Sequence, residues 1–149
     1  PAEGLRLDAP IRAWPPFMTA RIPAAMKLSE KAFDKAVRRA IRRIPDEIRQ
    51  HLDNTMITVR KRPSREMLRS MQMPPGELPL GLFWGNSLLD YTETYPPLYP
   101  NTIFIFQEPL EDFCDTEEDL EEQIEITVVH EIAHFLGISE ERLHELGYA

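Results

Sequence analysis

At 149 residues the chain has the length of one domain able to bury a real core, and it holds no apolar run long enough to span a membrane and no charged-then-apolar leader. Its one cysteine, Cys114, excludes an intramolecular disulfide and fits a reducing, cytoplasmic setting. The net charge of −8 hides a split: residues 1–75 carry 16 Lys and Arg against 8 Asp and Glu, and residues 76–149 carry 1 against 17. Such asymmetry can mark a basic partner-binding face, but in a compact domain the two halves also simply attract one another.

Residues 1–28 are proline-rich, with Pro10, Pro15, Pro16 and Pro23, and read as an extended arm preceding one domain over 29–149. Ser29 is placed to cap a helix running to about Ile44, with Phe33, Ala36, Val37, Ala40 and Ile41 along one face. The other face carries Lys31, Lys35, Arg38, Arg39, Arg42 and Arg43. A solvated face with basic residues toward the helix C-terminus outweighs a nucleic-acid surface as its reading, so nucleic acid is not the expected partner. Pro45 opens a short second helix through about Leu52.

The β-branched alternation of residues 55–61 predicts a strand. After Pro63 and Ser64 a short helix carries Met67, Leu68 and Met71, read as gap-filling core and not as ligands. A turn around Pro74, Pro75 and Gly76 leads to a second strand near Leu80–Trp84, closed by Gly85 and Asn86. A Tyr- and Pro-rich loop over 91–100 is long enough to cover a site, and a third strand follows at Thr102–Gln107. Thr116 with Asp119 forms a capping-box pattern, and the acidic run Glu117–Glu122 suits a helix N-terminus through the helix dipole alone. This last long helix is expected to reach Leu136 and stop at Gly137.

Within it, residues 130–134 read His-Glu-Ile-Ala-His. By this chain's own composition an H-E-x-x-H run arises by chance with a probability of roughly 1 in 100. Two imidazoles four residues apart lie one turn above each other and can bind one tetrahedral metal ion. Glu131 sits about 100° round the helix, where its carboxylate can take a proton from a metal-bound water. Ile124, Val128, Ile132 and Leu136 repeat every four residues, which puts both His on a face opposite that apolar stripe. A catalytic zinc needs a third protein ligand, and with fifteen residues after His134 the available donors are Glu140, Glu141, His144 and Glu145.

The stretch His-Glu-Ile-Ala-His-Phe-Leu-Gly-Ile-Ser-Glu, residues 130–140, resembles the H-E-x-x-H-x-x-G-x-x-(H/D) pattern of metzincins and Asp-type zincins. The C-terminal segment from Thr127 to Gly147 is similar to the small bacterial zincin-like metallopeptidases, or minimal zincins, with Pro75–Leu78 and Gly81–Gly85 extending the likeness upstream. That resemblance implies an α+β, zincin-like fold, with a small twisted sheet of three to four strands packed against the H-E-x-x-H helix and the N-terminal helices. It implies a zinc-dependent peptidase acting on a peptide or protein, with one Zn2+ held by His130, His134 and Glu140 and with Glu131 as general base. Glu140 stands where the family usually has Asp, one methylene longer but still a donor. His144 competes for the role, although a short terminal helix with Leu143 and Leu146 toward the core accounts for it without a metal.

Nine residues follow Glu140 and none is Met, so the substrate cleft is expected to come from upstream segments. An edge strand, Gly81–Trp84 or Ile103–Phe106, would pair with an extended peptide. Tyr95, Tyr99 and Tyr148 are the oxyanion candidates by chemistry alone. The alternative function is a zincin scaffold that keeps its metal for binding or stability without catalysis.

Overall fold

The computed structural model describes residues 26–85 and 101–148. Helix α1, Glu30–Arg43, begins where the Ser29 hydroxyl accepts the Ala32 N–H, satisfying one of the donors that a helix start leaves open. Its stripe of Phe33, Ala36, Val37 and Ala40 is buried. Ile44, held extended by the proline that follows, ends it. Pro45 then leads into α2, Asp46–Arg49, which tightens into a 3-10 turn over Gln50–Leu52.

Strand β1, Thr55–Arg60, is followed by α3, Arg65–Met71, capped by Ser64 and anchored through buried Met67 and Met71. Strands β2, Gly81–Trp84, and β3, Asn101–Phe106, join β1 among the described residues in a sheet of three strands in the order β1-β3-β2. β1 runs parallel to β3 and β2 antiparallel to it, with Ile57 and Phe83 both opposite Ile103. Ile103–Phe106 is therefore not an edge, which corrects one of the two peptide-binding strands expected from sequence. With β3 between the other two strands, β2 and β1 stand at the margins among the described residues.

Helix α4, Gln107–Phe113, follows β3 without a loop and was not expected from sequence. Pro109 is accommodated in it because in a first turn the missing N–H of a proline has no partner to lose. Leu110 and Phe113 turn its other face into the core. The segment before α1 is tied to α4, with the Leu28 N–H donating to Glu111 at 2.6 Å and Gln107 Nε2 donating to the Leu28 carbonyl at 3.0 Å. The rest of the expected arm and the 91–100 loop lie outside the described residues.

Helix α5, Glu117–Leu136, is the axis of the domain. The Thr116 hydroxyl accepts the Asp119 N–H at 3.0 Å, and Gly137 turns left-handed at φ 73° to close the helix where expected. It packs against α1, α4, β2 and β3, and every residue from Thr127 to Ala133 is buried. The amphipathic expectation fails at this point: the face opposite Val128 and Ile132 is enclosed as well, because protein covers the helix on more than one side. Gly81 permits this contact, since a Cβ there would lie 2.5 Å from Thr127 Cγ2 and 3.0 Å from the Phe104 carbonyl oxygen. A short helix, α6, Glu140–Glu145, follows and buries Leu143.

The charge asymmetry resolves into contacts between the halves. Arg39 Nε lies 3.0 Å from Glu121 Oε2, and Arg43 Nε lies 3.0 Å from Glu125 Oε2, joining the basic face of α1 to the acidic start of α5. Half-exposed pairs of this kind contribute roughly 0.2–1 kcal/mol each, so they orient the helices more than they hold them. Among the described residues no helix is long and apolar enough to cross a membrane.

Candidate functional site

Three ionisable side chains of α5 lie along its enclosed stretch and the turn after it. His130 is 9% exposed and Glu131 is fully buried, and the His130 and His134 rings stand one turn apart with centroids 6.4 Å apart. Gly137 reverses the chain, and the Ser139 hydroxyl, accepting the Arg142 N–H at 3.2 Å, starts α6 so that Glu140 returns toward the helix it left. Glu140 Oε1 comes to 3.5 Å from His134 Nε2. That nitrogen is buried and makes no hydrogen bond among the described residues. Burial lowers the His134 pKa, with His130 adding to the effect and Glu140 opposing it, so its imidazole is neutral and carries the lone pair a metal requires.

Glu131 is held from the sheet side. The Phe83 N–H of β2 donates to Oε2 at 3.1 Å, while Oε1 is buried without a hydrogen-bond partner among the described residues. Burial pushes its pKa from 4.5 up to about 8, against the pull of the Phe83 amide, so the group is a neutral acid at pH 7 when no added charge stands beside it.

His130 is engaged by the chain beyond α6. Its Nε2 lies 2.5 Å from the Tyr148 carbonyl oxygen, and because a carbonyl only accepts, Nε2 is the protonated ring nitrogen. The Tyr148 hydroxyl donates to Glu125 Oε1 at 2.5 Å, one turn earlier on α5, and Glu125 Oε2 receives Arg43. Burial and the Glu125 carboxylate both push the Tyr148 pKa up. Its hydroxyl is thus committed to Glu125 and is not the oxyanion donor that chemistry alone allowed; Tyr95 and Tyr99 lie outside the described residues.

Two imidazoles, one of them with a buried orphan nitrogen, and a nearby carboxylate form a donor set whose chemistry fits zinc. The set is not drawn together: among the described residues no three His, Cys, Asp or Glu side chains are gathered closely enough to hold a metal ion. Imidazoles sharing one tetrahedral ion have ring centroids roughly 5 Å apart, given metal–nitrogen bonds of about 2.0–2.1 Å. The wider spacing here traces to His130, turned onto Tyr148. Of the other sequence candidates, His144 and Glu141 stand exposed on α6, and Glu145 pairs with Arg142 at 2.8 Å.

Sequence reasoning identified the ionisable groups and missed what holds them. The Phe83 amide and the Tyr148 carbonyl are backbone atoms with no residue signature, and Glu125 reads as one more acid in an acidic helix. A cleft of about 400 Å³ bounded by Lys27, Lys61, Arg62, Glu108 and Glu111 is lined by none of the motif residues.

A comparison with curated proteins finds no match. The sequence model of the zincin-like metallopeptidase family matches residues 52–148, a span that includes the whole sheet, α5 with its paired histidines, and α6. Zincins as a family bind zinc, which agrees with the donor chemistry of His130 and His134. With its α+β architecture and with well over half of its length matched, the chain belongs to the zincin-like metallopeptidase family.

Proposed function

We propose that the protein is a zinc-dependent peptidase, acting in the reducing cytoplasm, in which His130, His134 and Glu140 hold one ion and Glu131 is the general base. The observation that carries this reading is Glu131 itself: a fully buried carboxyl group, one oxygen fixed by the Phe83 amide and the other unpaired, between two metal-type imidazoles. Bound zinc supplies Lewis acidity, polarising a scissile carbonyl and lowering the pKa of a water.

The rest is the work of the chain. Glu131 keeps its proton at neutral pH in the metal-free protein and becomes a carboxylate only beside added positive charge, which makes the base conditional on a loaded site. The Phe83 amide keeps that carboxylate from rotating, so the proton it accepts stays beside the leaving nitrogen it must reach. His134, neutral by burial, offers Nε2, and Glu140 approaches from α6. β2, a margin of the sheet joined to Glu131 through Phe83, is the strand along which an extended peptide would lie.

Zinc analysis of purified protein, with a peptide-library assay of wild type and Glu131→Gln, tests the reading. Stoichiometric zinc with turnover lost in the variant supports it, and no zinc after reconstitution under native conditions refutes it. A non-catalytic zincin scaffold is the second reading, favoured by the engagement of His130 with Tyr148. It predicts that His130→Ala lowers the melting temperature of zinc-loaded protein while no peptide is cleaved by wild type.

A further inference from the structure

We propose that residues 146–148 form a latch on the metal site, in which the Tyr148 carbonyl competes with the metal ion for His130 Nε2. The proposal rests on the reading of His130 as a ligand. A carbonyl oxygen 2.5 Å from Nε2 takes the proton-bearing side of that nitrogen, where an ion about 2.0–2.1 Å away would have to sit. The two contacts exclude each other.

The latch is built, not incidental. The Tyr148 N–H donates to the Leu143 carbonyl at 2.8 Å and the Gly147 N–H to the His144 carbonyl at 3.0 Å, the paired bonds of a Schellman closure on α6. Gly147 supplies the left-handed turn, at φ 87°, that this closure needs. The hydroxyl then fixes the side chain to Glu125, and Glu125 is fixed to Arg43 of α1. Tyr148 is thus anchored at both ends, 9% exposed, with its carbonyl aimed at a buried histidine. The other half of the site, His134 with Glu140, stands ready at 3.5 Å, so the closed state withholds one ligand of the set.

A latch that closes a site lowers apparent affinity by the fraction of molecules in which it is open. Loosening it must therefore tighten zinc binding, the reverse of what damage to a supporting contact would do. Tyr148→Phe removes the anchor to Glu125 and keeps the carbonyl. Gly147→Ala strains the turn, and since nothing lies within 4 Å of the added methyl, it acts on the backbone alone.

The test is zinc affinity of the full chain by competition with a chromophoric chelator, for wild type and both variants, with far-UV circular dichroism to confirm folding. Both variants are expected to bind zinc about tenfold more tightly, the order set by losing one hydrogen bond to a charged group. In wild type, zinc is expected to speed hydrogen exchange at the Tyr148 amide. Equal or weaker affinity in folded variants, with no change in that exchange, overturns the latch and leaves the metal reading intact. Failure of wild type and variants alike to bind zinc overturns both.

Discussion

Glu131→Gln should stabilise the metal-free protein, and by an amount that grows with pH. Glu131 has its folded pKa raised from 4.5 to about 8 by burial, so the folded state binds a proton more tightly than the unfolded chain. Stability attributable to this group is full below pH 4.5, is lost as pH rises from there to about 8, and stays lost above. With 1.36 kcal/mol per pH unit, the ionisable carboxyl costs the fold on the order of 3 kcal/mol at pH 7 and approaches roughly 5 kcal/mol above pH 9. Gln has the same shape, keeps an oxygen for the Phe83 N–H and cannot ionise. Its unpaired NH2 replaces the unpaired OH of the neutral acid, so the two proteins should match near pH 4.5. Urea or thermal unfolding of EDTA-treated protein at pH 5, 7 and 9 measures the difference; at pH 7 it corresponds to a melting shift of roughly 10 °C for a chain of this size. Supplying zinc should narrow the gap, because a dication favours the carboxylate. A difference that does not change with pH, or a wild type more stable than the variant at pH 9, would falsify the assignment of a buried, proton-holding Glu131.

Three further outcomes follow from the packing and the donor set. Gly81→Ala drives a methyl into Thr127 and the Phe104 carbonyl and is expected to cost roughly 1–3 kcal/mol in urea unfolding. Ser139→Ala removes the cap that starts α6 and should cost about 1 kcal/mol by the same measurement, with zinc affinity falling because Glu140 is no longer returned to His134. His134→Ala and Glu140→Ala should each reduce zinc affinity by tenfold or more in chelator competition, while His144→Ala, at an exposed position, should leave it unchanged. A loss at His144 equal to that at Glu140 would move the third ligand.

The elements that periodicity marked most clearly are the ones the structure holds: α1 with its Ser29 cap, β1, and α5 from Thr116 to Gly137. Each is decided by local rules of capping and apolar spacing. What escaped sequence reading depends on tertiary context. α4 has no capping side chain to mark its start, and its Pro109 is tolerated because it falls in a first turn. β3 could not be recognised as the central strand, since an apolar run reports how its faces are covered and not how many strands flank it. At the site, His130, Glu131 and His134 were legible because the chemistry lies in side-chain identity. The Phe83 amide and Tyr148 carbonyl were not, because backbone groups are the same at every residue.

The one place where amphipathic reasoning failed is also where the chemistry sits, and the two facts have a common cause. A solvated polar face would have left Glu131 hydrated, with an ordinary carboxylate pKa and little strength as a base. Enclosing that face costs stability, since it strands one oxygen of Glu131 and Nε2 of His134 without hydrogen bonds. A single divalent ion would relieve both costs, taking the lone pair of His134 and favouring the charge on Glu131. Under the zinc reading, residues so poorly satisfied by the described protein alone are what a fold keeps when a metal completes its stability. Zinc should therefore raise the melting temperature of wild type by more than that of Glu131→Gln, because the variant has only the imidazole to gain.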